Sequence, residues 1–120
     1  MSRALFILWV ASLIFFSACE KFDLPTVNTP AVQNVIINSS VDIGFEIHTD
    51  AGYASSNATA EVGVVTPLSN IGENAVQAII YIKYSAVSEK GIDKVTFTVR
   101  DKKGKEAISI VDIEVIENSL

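Results

Sequence analysis

Hydrophobic and polar residues alternate most cleanly over Val41–His48. Val41, Ile43, Phe45 and Ile47 fall on one face, and Asp42, Gly44, Glu46 and His48 on the other. A period of two predicts a half-buried strand. The pattern returns over Lys94–Arg100, where Val95, Phe97 and Val99 alternate with Thr96, Thr98 and Arg100. Asp101-Lys102-Lys103-Gly104 then reads as a hairpin turn, with Asp opening it and Gly accepting a positive φ. The return strand runs from Lys105 or Glu106 to Ile116. In it Ile108 and Ile110 share one parity and Val111, Ile113 and Val115 the other, and such a switch predicts a β-bulge.

Other elements are read from shorter signals. Val32–Ile37 is a first strand ended by Asn38-Ser39-Ser40. Asp50-Ala51-Gly52 predicts a turn and Ser55-Ser56-Asn57 a loop; Thr59–Thr66 predicts one strand closed by Pro67. Ala75–Tyr84 has a length that suits a helix. Its period-two face of Val76, Ala78, Ile80, Ile82 and Tyr84 favours a strand, leaving Gln77, Ile79, Tyr81 and Lys83 on the other face.

The amino terminus is different. Met1-Ser2-Arg3 gives a short positive start, and Ala4–Phe16 is apolar except for Ser12. The run is shorter than the roughly 20 apolar residues of a membrane span. It has the layout of a secretory signal. Phe16-Ser17-Ala18-Cys19 resembles a bacterial lipobox, departing from it at Phe16, where Leu is usual. The resemblance implies that residues 1–18 are removed and that Cys19 carries a diacylglycerol. The following run, CEKFDLP, resembles the starts of Bacteroidota surface lipoproteins. It implies an outer-membrane anchor, exposed at the cell surface or facing the periplasm. Residues 19–31, with Pro25, Pro30 and Asn28, then read as the lipidated Cys and an extended tether. Residues 32–118 are left as one domain.

Composition sharpens this division. The whole chain has 120 residues, nine basic and fourteen acidic, one His and one Cys; its mean hydropathy is +0.38. Without residues 1–18 the charge is −6, because Arg3 goes with them, and so do the only Trp and Met. What remains holds thirteen Val and thirteen Ile against three Leu. β-branched side chains fit a pleated sheet better than a helix. The expected fold is therefore all-β, a sandwich of about six to seven antiparallel strands. Residues 82–116 resemble the closing strands of bacterial immunoglobulin-like and cadherin-like modules. The similarity lies in Tyr84-Ser85-Ala86, Gly91 and Asp93, the alternating strand, and the Asp101–Gly104 turn. These motifs encode fold and not chemistry.

The chemical content is sparse. One His and one Cys exclude a zinc cage and a disulfide framework, and the acidic balance argues against nucleic acid. His48 reads as an exposed, non-catalytic residue. Asp42, Glu46, Asp50, Glu73, Asp93 and Asp101 read as acids of solvated faces and turns, without calcium-loop spacing. No catalytic residue, metal or cofactor is expected. Ile79, Tyr81 and Tyr53 are the candidate contact residues. The expected function is a non-enzymatic interaction or adhesion module, held to the membrane through the lipid on Cys19 and meeting a protein partner in the envelope. The alternative is a glycan-binding lipoprotein serving polysaccharide uptake.

Overall fold

The computed structural model describes residues 22–118. The signal segment and Cys19 lie outside the described residues. Within them the chain forms β1 (Thr26–Asn28), β2 (Gln33–Ile36), β3 (Ser40–His48), β4 (Tyr53–Ala60), β5 (Val64–Pro67), β6 (Gln77–Ser85), β7 (Gly91–Asp101) and β8 (Glu106–Ile116). The Ala75–Tyr84 segment resolves as strand from Gln77 onward, with alternate residues of β6 buried against the facing sheet, while Val76 precedes the strand and is exposed.

Two four-stranded sheets pack face to face, with orders β1-β3-β6-β5 and β2-β8-β7-β4. This is an immunoglobulin-like sandwich whose first strand is divided between the sheets. The strand count among the described residues is eight, above the six to seven expected. One pairing is parallel, β2 with β8, and joins Gln33↔Ile113 through Ile36↔Ile116. The extra strand is β1, which lies inside the segment read as a tether and pairs antiparallel with β3. The chain then crosses between sheets at 29–32, where the buried Ser109 hydroxyl donates to Thr29 Oγ1 at 2.9 Å.

Inward residues of both sheets form one core, including Ile43, Phe45, Ile47, Ile82, Tyr84, Val95, Phe97, Val99 and Ile113. Phe45 and Phe97 stack across the two sheets with ring centroids 4.3 Å apart and planes 6° from parallel.

Three local readings are corrected. Ser55-Ser56-Asn57 lies within β4, paired with Arg100, Val99 and Thr98. Small polar residues can form an edge strand because one long side is paired and the exposed face is solvated. Thr59–Thr66 is not one strand. It bends at 61–63, and β5 joins the other sheet. The register of β7 with β8 runs unbroken from Gly91↔Val115 to Arg100↔Glu106. The parity switch is therefore not a bulge: Ser109 takes the core position, and Ile108 and Ile110 stand on the outer face. The irregularity falls in β4 instead, between Tyr53 and Ser55.

The predicted β7–β8 hairpin forms as read. Asp101 Oδ1 accepts the N–H groups of Lys103 and Lys105, each at 2.9 Å. Gly104 has φ +82 and open space around its missing Cβ. Gly104→Ala should therefore cost only the backbone penalty, about 1 kcal/mol. A melting temperature lower by about 4–8 °C in calorimetry is the expected result.

Candidate functional site

The outer face of the β1-β3-β6-β5 sheet follows from parity. Core residues at Ile80, Ile82 and Tyr84 leave Ile79 and Tyr81 pointing outward, 48% and 46% exposed. Across the ladder Tyr81 faces Gly44 and Ile79 faces Glu46. A Cβ on Gly44 would lie 2.9 Å from Tyr81 Cε1. The phenol ring therefore lies over the glycine of the neighbouring strand, which holds its position although no other strand covers it. On the other side the N–H groups of Leu68 and Ser69 donate to the Tyr81 carbonyl at 3.1 and 3.3 Å. The Tyr81 N–H donates to Ser69 Oγ at 2.7 Å. Leu68 is exposed beside it.

On the β5 side of β6, Tyr81 also contributes to the lining of a cleft. Both β5 and β4 are sheet edges, and between them a cavity of about 90 Å³ opens, lined by Ser56, Asn57, Val65, Pro67, Ser69 and Phe97 among others. Its lining combines apolar side chains such as Val65 and Phe97 with the hydroxyl groups of Ser56 and Ser69 and the amide of Asn57. From β4 only the small residues Ser56, Asn57 and Ala58 reach it. Ser56 and Asn57 had no individual signal in the sequence, since they sit in a stretch that reads as a loop.

Tyr53 does not join this surface. It lies on β4 in the other sheet, half-buried against the core, with its hydroxyl 2.7 Å from Ser56 Oγ. His48, Glu46 and Asp42 share the exposed face of β3, as their parity predicts. Cys19 lies outside the described residues.

A second exposed apolar stripe runs along the outer face of the β2-β8-β7-β4 sheet. Ile108 and Ile110 stand opposite Thr98 and Thr96, bracketed by the ion pairs Arg100–Glu106 (2.6 Å) and Lys94–Asp112 (3.0 Å). The sequence held the signal, two Ile at outer parity, but the bulge reading turned them inward.

Two of the six acids read as solvated are buried. Asp93 is 2% exposed. Its Oδ1 accepts the N–H of Val62 at 3.0 Å and of Lys94 at 2.8 Å. Its Oδ2 accepts the N–H of Gly63 at 2.7 Å and the Tyr84 hydroxyl at 2.6 Å. Burial alone would raise the Asp93 pKa, but these four donors outweigh it and hold the carboxyl below its ordinary value. Burial, then the hydrogen bond to Asp93 and its charge, push the Tyr84 phenol upward. Asp101, the other, closes the β7–β8 hairpin. The Asp93 group is structural: it pins the 61–63 bend where the chain changes sheets. Among the described residues no group of three or more His, Cys, Asp or Glu side chains converges as a metal site.

No family model matches the chain, and no curated protein matches its sequence. Its fold is similar to those of solved structures, the following two among them. The GspB Siglec domain superposes with a TM-score of 0.62 at 11% identity, over 82% of this chain and 60% of that one. The SrpA adhesin from Streptococcus sanguinis gives 0.58 at 12% identity, over 79% and 59%. The chain thus spans about 60% of the length of these structures, and the likeness is one of fold.

Proposed function

We propose that this chain is a lipid-anchored bacterial envelope protein that presents its immunoglobulin-like domain as a non-enzymatic adhesion or interaction module. The anchor rests on the lipobox-like Phe16–Cys19 run. An outer-membrane, surface-exposed location rests on the CEKFDLP run. The interaction role is supported by a fold shared with an adhesin and, above all, by one observation: the Tyr81 ring lies over Gly44 on the outer face of its sheet, with exposed Ile79 and Leu68 beside it. Exposed aromatic side chains held in place lose little entropy on binding and serve as interface anchors. The apolar flanks favour a protein partner. The hydroxyl and amide groups lining the cleft support a second reading, in which a sugar ring stacks on Tyr81.

The test uses the tagged, lipidated protein. Palmitate labelling should disappear in Cys19→Ala; equal labelling would remove the anchor from the proposal. Ile79→Asp and Tyr81→Ala should each reduce a co-purifying envelope protein by about tenfold or more, with melting temperatures within a few degrees of wild type. Ile110→Lys, on the other sheet, should leave it unchanged. Retardation on a polysaccharide gel that Tyr81→Ala abolishes would establish the glycan reading instead. Neither effect would place the contact surface elsewhere.

A further inference from the structure

The end of the sandwich nearest Cys19 has features that the contact surface does not use. Phe22 is three residues beyond Cys19, a distance that an extended chain covers in about 11 Å at most. From Phe22 onward the chain is already fixed to the domain. Lys103 Nζ lies 5.3 Å from the centroid of the Phe22 ring, within the range of a cation–π contact. The Asp23 N–H donates to Asp50 Oδ2 at 3.0 Å, and Thr26 enters β1 opposite His48.

These contacts all gather at one end, which is itself cross-tied. The Lys102 N–H donates to the Gly52 carbonyl at 2.9 Å, joining the β7–β8 hairpin to the β3–β4 turn. Lys102 Nζ meets Glu73 Oε2 at 2.9 Å, which adds the β5–β6 connection. The surface so formed has a definite chemistry. Phe22 and Leu24 are exposed apolar side chains, 49% and 65%, and Lys103 and Lys105 stand exposed in the hairpin. Apolar side chains next to flexible ammonium groups suit the boundary between headgroups and acyl chains, where Lys stems lie along apolar surface and the charge reaches phosphate.

We propose that this end is a membrane-seating face. Phe22 and Leu24 enter the interface of the bilayer that holds the Cys19 acyl chains, and Lys103 and Lys105 meet its phosphate groups. The domain then stands upright directly on the lipid and not on a stalk. The 37–39, 61–63 and 86–90 connections form its outward end, and the Tyr81 face stands to the side. The proposal rests on acylation of Cys19.

Acylation blocks the Cys19 thiol, so an introduced cysteine becomes the single labelling site. Ala51→Cys, in the β3–β4 turn, and Glu89→Cys mark the two ends, which the eleven residues of β7 separate by roughly 35 Å. Each lipidated variant is labelled with a donor dye and placed in phosphatidylethanolamine–phosphatidylglycerol vesicles carrying a headgroup-linked acceptor. Mass spectrometry confirms the acyl chains. Energy transfer should be several-fold higher from Ala51→Cys than from Glu89→Cys. A ten-residue Gly-Ser insertion after Lys21 combined with Leu24→Ser should lower the Ala51→Cys signal towards that of Glu89→Cys. Equal transfer from both ends of an acylated protein, or a signal unmoved by that combined variant, would overturn the seating face and leave the anchor intact. An unacylated Cys19 would overturn both.

Discussion

Asp93→Ala is expected to lower the melting temperature by about 15 °C or more. The substitution leaves the N–H groups of Val62, Gly63 and Lys94 and the hydroxyl of Tyr84 facing an emptied site. A buried donor left unpaired costs about 1–3 kcal/mol. Even with water entering to satisfy two of the four, the loss is about 3 kcal/mol, a large share of the 5–15 kcal/mol typical of a domain. Among the described residues no buried side-chain polar atom lacks a partner, so this centre has no spare donor or acceptor to compensate.

Asp93→Asn separates charge from shape. It keeps one acceptor oxygen but turns an NH₂ group towards donors. It should cost less than Ala and more than Tyr84→Phe, which removes only the hydroxyl. The pH dependence has a definite sign. The folded carboxyl titrates below its ordinary value of 3.8, so the unfolded chain binds the proton more readily. The stabilisation is complete above about pH 4 and is lost as pH falls towards the folded pKa. Denaturant midpoints should therefore show a constant gap between wild type and Asp93→Asn near neutrality, narrowing below about pH 4. A gap that widened on acidification would contradict this account.

Phe97→Ala is expected to be comparably severe, about 3–5 kcal/mol. Phe97 is fully buried in β7 and stacks on Phe45 of β3. The pair spans the gap between the sheets, and deleting one ring leaves the other facing a void. Phe97→Leu retains most of the volume and should recover more than half of the loss in urea unfolding. Phe97 also lines the β4–β5 cleft. The new void would open into that cleft, so the alanine variant should alter binding as well as stability, whereas Val99→Ala, which removes a core side chain outside the cleft lining, should alter stability alone.

Alternation revealed the central strands because each is buried on one face only. The inward apolar residues of β3, β6 and β7 were legible one by one, apart from Val76, which precedes β6 and is exposed, and so was the hairpin that Asp101 and Gly104 close. Tyr81 was legible as an outward aromatic for the same reason. Its support was not, because Gly44 lies 37 positions away and only the pairing of β3 with β6 brings the two together.

The peripheral strands were harder to read. β4 is built from Ser, Asn, Thr and Ala, a composition shared with loops, and becomes a strand because β7 supplies its hydrogen bonds. β1 hides in a Pro-flanked stretch and becomes a strand because β3 has an open side. The outward Ile108 and Ile110 misled in the opposite direction, since a hydrophobic residue on an exposed face looks inward to a pattern that knows nothing of its partners.

By itself, then, the sequence determined an all-β domain and its principal core faces, because these follow from local periodicity and short motifs. The tertiary structure decided where the chain changes sheets, which edge closes on which, and what Asp93 is for. A carboxylate at the start of a strand looks the same in sequence whether water or four protein donors surround it. Only the folded chain brings Val62, Gly63 and Tyr84 to Asp93, and the two edge strands β4 and β5 to either side of the cleft beside Tyr81.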